Sequence, residues 1–358
     1  MKKIFDYTFK NGVKIKNRLV LAPMTTYSAN QDLTLSDEEY KYYQARGQQF
    51  GMVVTAATAI SKHAQAFVNQ ISIMNDDFIP SMIRLQEAIK SGGALAILQL
   101  HHGGRMNMPG LYPNQDIVSA SAIKANRDYL LTPRALETSE VYEIIEDFAK
   151  AVKRAILAGF DGIELHGANT YLLQQFFSPH SNQRSDEFGG NVEKRMTFAK
   201  KLINRVLEIK KQFANQEFII GYRLSPEELE NPGITIEDTE KLVSLLANSG
   251  IDYIHLSLAN FLQTSIRTPG LKKLLIDRIE EIVDKRVAII GVGQINNKES
   301  LETALSLGYD LLAVGMAALA DELFVDNIRL EKEPKKLIDK NSLLPKPLYD
   351  RIKTWKGI

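Results

Sequence analysis

Eight short runs rich in Val, Ile and Leu recur along the chain, each followed by a longer amphipathic stretch. The runs are 19–24, 52–60, 95–100, 162–167, 218–225, 252–258, 287–293 and 311–316. Their few charges mark them as strands buried on both faces, as in a parallel sheet. The stretch 138–157 carries Val141, Ile144, Ile145, Phe148 and Val152 at the i, i+3, i+4 spacing of a one-sided helix. Residues 193–213 repeat the pattern, and 235–249 opens with a Thr-x-x-Asp cap signal and ends near Gly250. Eight strands alternating with helices indicate an α/β fold, a closed (β/α)8 TIM barrel, read as a single domain over residues 1–358. A doubly wound open sheet is the alternative. Asn11-Gly12, inside the segment from Phe5 to Lys16, signals a β-hairpin that would close the bottom of the barrel.

Composition narrows the function classes. Lys and Arg total 44 against 43 Asp and Glu, so nothing favours nucleic acid or an anionic membrane as partner. The absence of cysteine excludes disulfides, thiolate metal sites, iron–sulfur clusters and cysteine nucleophiles. The six histidines form no metal-binding spacing, and no metal is expected. Met1-Lys2-Lys3 could open a signal peptide, but Asp6, Lys10 and Lys14 break up the segment where its apolar region would lie. No apolar run approaches the ~18 residues of a membrane span. A cytoplasmic enzyme is the expectation.

Nearly every run ends in a polar residue or glycine: Thr25, Gln99, His166, Arg223, Ser257, Gly291 with Gly293, and Gly315. A barrel places its active site at the C-terminal mouth of its strands, so these positions should converge. His166 is followed closely by Asn169 and Tyr171. Two donors can polarise a carbonyl, and a phenol can protonate a carbanion; a structural histidine is the plainer reading. Arg223 lies in a doubly buried strand and needs a counter-charge or a bound anion. Glu164, on the same face as His166 and one layer deeper, is a candidate partner, and an anionic ring is another. Gln99 either bridges strands or reads the edge of a flavin pyrimidine. Gly293 and Gly315 suit a phosphate site or plain turns.

Four motifs carry a resemblance. Ala22-Pro23-Met24-Thr25-Thr26-Tyr27-Ser28, Gln99-Leu100-His101-His102-Gly103-Gly104-Arg105, Glu164–Leu172 and the loop Ser178–Gly190 resemble, in order, the motifs of the Old Yellow Enzyme family. The match runs from about Lys3 to about Asp326. The resemblance implies an FMN-dependent oxidoreductase drawing on NADH or NADPH. It implies ping-pong reduction of the C=C bond of an α,β-unsaturated carbonyl, with hydride passing through flavin N5. Pro23, Met24, Thr25, Ala57, Gln99 and Arg223 would contact the flavin ring, Thr25 tuning its potential. Gly293 and Gly315 would hold its phosphate. His166 and Asn169 would hold the substrate carbonyl, Tyr171 would supply the proton, and Tyr27 would line the substrate pocket. Many relatives carry arginine where this chain has Met316, so that cofactor contact should be weaker or served by another cation such as Lys298. In some relatives an arginine reaches a neighbouring subunit's site, which draws attention to Arg351 and to a homo-oligomer. Two other readings stay open: a flavin-binding barrel without ene-reductase activity, and another FMN barrel oxidoreductase such as a 2-hydroxy-acid oxidase.

Overall fold

The computed structural model describes residues 4–268 and 270–354. Met1-Lys2-Lys3 lies outside the described residues. Eight parallel strands form the barrel: β1 (Leu19–Leu21), β2 (Met52–Val54), β3 (Leu95–His101), β4 (Gly162–Gly167), β5 (Ile219–Leu224), β6 (Tyr253–Leu256), β7 (Ala288–Val292) and β8 (Leu311–Val314). Each pairs with its neighbours in chain order, β8 returns to β1, and β2 pairs with β3, so the sheet closes. Nearly every strand residue is buried, because the interior covers one face and the helices cover the other.

Pairing register separates the faces. Ile97, Gly162 and Ile219 stand level, as do Gln99, Glu164, Gly221 and Tyr253 one layer higher, and His166, Arg223 and His255 above those. Alternation therefore sends Ile97, Gln99 and His101 inward from one strand, and Glu164 and His166 from the next. The lower interior is apolar: Val20, Met52, Ile97, Ile219, Ile290 and Leu311 form one cluster. Phe9 and Ile15 belong to the same cluster. They come from the antiparallel hairpin Tyr7–Thr8 with Lys14–Ile15, which plugs the N-terminal end of the strands. Gly12 turns it at φ +92°, a conformation that favours glycine.

Helix Thr138–Leu157 has the bounds that its periodicity predicts, with Val141, Ile144, Ile145, Phe148 and Val152 all buried. Thr235 caps Ile236–Ala247 by accepting from the Asp238 N–H at 3.2 Å. Three expectations are adjusted. The first run keeps strand geometry only to Leu21. The second splits into Met52–Val54 and Thr58–Ala59. The helix expected over 193–213 divides into Val192–Arg195 and Thr197–Phe213.

Candidate functional site

The polar upper layer opens at the C-terminal end of the barrel, where Pro23, Met24 and Thr25 continue from β1. His166 is buried, and its Nδ1 accepts from the Ala168 N–H at 3.3 Å. That bond leaves the proton on Nε2, as a donor. Burial pushes its pKa well down, and His101 and Arg223 push it further, so the ring is neutral at working pH. His101 is arranged in the same way. Its Nδ1 faces Gln70 Nε2 at 3.1 Å, and its buried Nε2 has no hydrogen-bond partner among the described residues. Burial lowers its pKa to about 3.

Tyr171 stands between these two rings, 4.3 Å from His101 and 4.9 Å from His166, edge to face. Burial raises its pKa well above that of a free phenol, so it keeps its proton. Phe67 completes the aromatic wall, 6.1 Å from both His101 and Tyr171 and 5.7 Å from Tyr27. Asn169 is exposed, and its Oδ1 accepts from the Ser257 hydroxyl at 2.9 Å, which leaves its amide hydrogens available. Ser225 Oγ accepts from the Asn169 N–H at 2.9 Å. Asn169, Thr170 and Tyr27 all have left-handed backbones, at φ +57°, +66° and +56°. Strained non-glycine residues of this kind gather at functional sites.

Arg223 lies one layer above Glu164 and is buried. Its Nε has no partner, and among the described residues it makes no ion pair. The sequence offered Glu164 as its counter-charge. The carboxylate is instead taken up by Gln99 Nε2 (2.7 Å), the Tyr253 hydroxyl (3.0 Å) and His255 Nδ1 (2.9 Å), and reaches Arg223 only through space. A buried guanidinium without a partner is costly unless an anion or a set of acceptors meets it. Gln99 Oε1 accepts no hydrogen bond among the described residues, so it too offers an unused group. An electron-rich ring with an anionic form fits this donor set.

The glycines differ in kind. At Gly315 an added Cβ would meet only Met24 Sδ at 3.7 Å and Ala22 Cβ at 3.9 Å, so packing does not require glycine there and an open cradle results. Gly293 has φ +103°, and a Cβ would come within 2.6 Å of the Ala259 carbonyl carbon. Gly291 does not reach the mouth. It faces outward, where a Cβ would lie 2.5 Å from the Tyr309 ring. Met316 opens the short helix Met316–Ala320 directly after Gly315. Lys298, the candidate substitute cation, is tied to Glu331 at 2.8 Å in an exposed ion pair. Ala57 is buried, and its carbonyl accepts from Gln70 Nε2. Arg351 sits over the Tyr27 ring of its own chain, 3.9 Å from the centroid.

Residues that the sequence did not single out complete the site: Phe67, Gln70, Tyr253 and His255, with His101 quoted in a motif but given no role. Tyr253 and His255 were visible as inward positions of β6, two residues apart in an apolar run.

The family described as NADH:flavin oxidoreductase / NADH oxidase matches residues 4–334. The chain is 43% identical over 319 residues to NADH:acrylate oxidoreductase of Vibrio harveyi, covering 88% of this chain and 32% of that protein. It is 42% identical to NADH:fumarate oxidoreductase of Klebsiella pneumoniae, covering 96% of this chain and 38% of that one. The chain thus spans about a third of the length of these curated relatives. "Probable NADH-dependent flavin oxidoreductase YqiG" of Bacillus subtilis is 38% identical, with 99% of this chain and 97% of that protein covered. Among solved structures, morphinone reductase superposes with a TM-score of 0.80 at 26% identity, over 95% of this chain and 92% of that one. With that barrel, that polar mouth and these relatives, the chain belongs to the NADH:flavin oxidoreductase / NADH oxidase family, the Old Yellow Enzyme group of FMN-binding, NAD(P)H-dependent oxidoreductases.

Proposed function

We propose that this protein reduces the C=C bond of α,β-unsaturated carbonyl compounds. Gln99 and Arg223 would hold the ring of FMN, with Pro23, Met24, Thr25 and Ala57 lining its place. Gly293, Gly315 and the backbone at Met316 would hold the phosphate. The chemistry that bound FMN supplies is hydride transfer, from the nicotinamide in one half-reaction and to the alkene β-carbon in the other.

The chain's own residues then have distinct tasks. His166 Nε2–H and the Asn169 amide are two donors for one carbonyl oxygen, and they stabilise the negative charge that develops there. The Tyr171 phenol gives its proton to the α-carbon. Its high pKa ensures that a proton is present, and the enolate-like carbon it meets is basic enough to take it. Phe67 and Tyr27 exclude water from that side. A cavity of about 500 Å³, lined by Met106, Ala125, Thr170 and Ser225 among others, adjoins Tyr171 and gives room for substituents.

The observation that carries this reading is Tyr171: protonated, packed against His166 at 4.9 Å, and two residues after Asn169. The test is Tyr171→Phe. Alkene reduction should fall about 100-fold, within the usual range for losing a general acid, while nicotinamide oxidation in the first half-reaction stays intact. Unchanged alkene reduction would refute the assignment.

One observation favours a second reading. The acrylate and fumarate oxidoreductases are about three times as long as their match to this chain. In that reading the barrel takes electrons from NADH and passes them to a separate redox protein. Fast turnover with artificial electron acceptors and none with any enone would support it.

A further inference from the structure

Glu164 sits at the centre of the barrel interior, fully buried, between the apolar lower layer and the polar mouth. Three donors from two other strands converge on its carboxylate: Gln99 Nε2 from β3 on Oε1, and the Tyr253 hydroxyl and His255 Nδ1 from β6 on Oε2, the latter two across β5. The intervening strand gives way for this arrangement. Gly221 of β5 stands level with Glu164, and a Cβ there would fall 2.0 Å from Tyr253 Cζ. Without a side chain at 221, the Tyr253 ring crosses the interior and delivers its hydroxyl. Burial opposes ionisation of Glu164, but the hydrogen bonds from His255 and Gln99 and the charge of Arg223 outweigh it and hold the carboxyl below the ordinary range.

A carboxylate can only accept, so Gln99, level with it, must turn its amide nitrogen toward Glu164. Its carbonyl oxygen and second N–H are then held in one orientation. The same carboxylate provides the nearby negative charge for Arg223, one layer above, without bonding to it. Arg223 is thereby left free to bond to a group in the mouth.

We infer that Glu164 is a positioning residue of the flavin site: it fixes the Gln99 amide and sets the charge balance beneath Arg223, and so tunes both the affinity for FMN and its reduction potential. The inference rests on flavin binding and not on the identity of the second substrate, so failure of enone turnover would leave it standing.

The test uses the full chain with FMN and reads the FMN dissociation constant and the midpoint potential of the bound flavin. In Glu164→Gln the side chain keeps one acceptor oxygen and gains two N–H donors, so the single orientation of the Gln99 amide is no longer enforced. The dissociation constant should rise about tenfold, equivalent to one lost hydrogen bond of ~1.4 kcal/mol. Removing a negative charge from below the site favours electron uptake, so the potential should become more positive. Glu164→Asp keeps the charge and should restore most of the potential while leaving FMN loosely held. Tyr253→Phe, a milder change, leaves the carboxylate less neutralised and should move the potential to more negative values; it decides the question if Glu164→Gln does not fold. Equal shifts in Glu164→Gln and Glu164→Asp would reduce Glu164 to a packing role and overturn the proposal. So would an unchanged potential in a folded Glu164→Gln or in Tyr253→Phe.

Discussion

At the scale of single residues, the site is organised by which side chains hold unsatisfied groups. His166 and His101 have their Nδ1 atoms engaged, and Arg223 has an orphaned Nε. Arg223→Met removes the guanidinium that would meet the flavin and is expected to raise the FMN dissociation constant by about tenfold or more, the equivalent of one charge-assisted hydrogen bond of ~1.4 kcal/mol or above. Flavin titrations of the two proteins check this, and unchanged affinity would show that Arg223 does not contact the cofactor. Arg223 was legible in the sequence, because arginine in a doubly buried strand demands an explanation. Its relation to Glu164 was only half legible. Strand alternation placed the face and the layer, but Tyr253 and His255 come from a strand about 90 residues away, and sequence spacing does not say who competes for a carboxylate.

At the scale of elements, the strands and helices were read more easily than their ends. Helix Thr138–Leu157 was legible to the residue, because its apolar face is uninterrupted and fully buried. The stretch 193–213 was not, because its pattern runs on across the break at Met196. Gly291 and Gly293 looked alike in sequence, yet one faces Tyr309 outside the barrel and the other turns at the mouth. Close approach of a ring to a strand is a tertiary fact.

Two predictions belong to elements. Gly221→Ala places a Cβ 2.0 Å from the Tyr253 ring and should cost about 1–3 kcal/mol, read by chemical unfolding; no loss would mean that β5 and β6 can slide apart. Helix Asp37–Gln49 carries a buried carboxyl, Glu39, which accepts from the Thr26 hydroxyl at 2.5 Å beside the Met24-Thr25 segment. Burial raises its pKa to about 7 from an ordinary 4.5. The folded state then holds a proton that the unfolded state has lost between those values. This contribution is full below pH 4.5 and is lost as pH rises through 7, at most about 3 kcal/mol. The buried neutral histidines act in the opposite direction at acid pH. The signature is therefore the difference between proteins: relative to Glu39→Gln, the wild type should lose stability as pH rises from 4.5 to 7. A flat difference would contradict it.

At the scale of the whole molecule, the hairpin seals one end of the barrel and the chemistry gathers at the other. Closure of the sheet was half legible: eight repeats of strand and helix indicate a barrel, but an open sheet carries the same alternation, and the pairing of β8 with β1 is a tertiary fact. The position of the C-terminal segment was not legible, and Arg351 stacks on Tyr27 of its own chain.

The most direct test of a flavin barrel that passes hydride to an enone is an anaerobic visible spectrum of the protein loaded with FMN. NADH or NADPH is added first, then a simple cyclic enone. The flavin band should bleach with the nucleotide and return with the enone. A band that bleaches and does not return with any enone would remove the alkene-reducing function, and a protein that holds no FMN would contradict the account at its base.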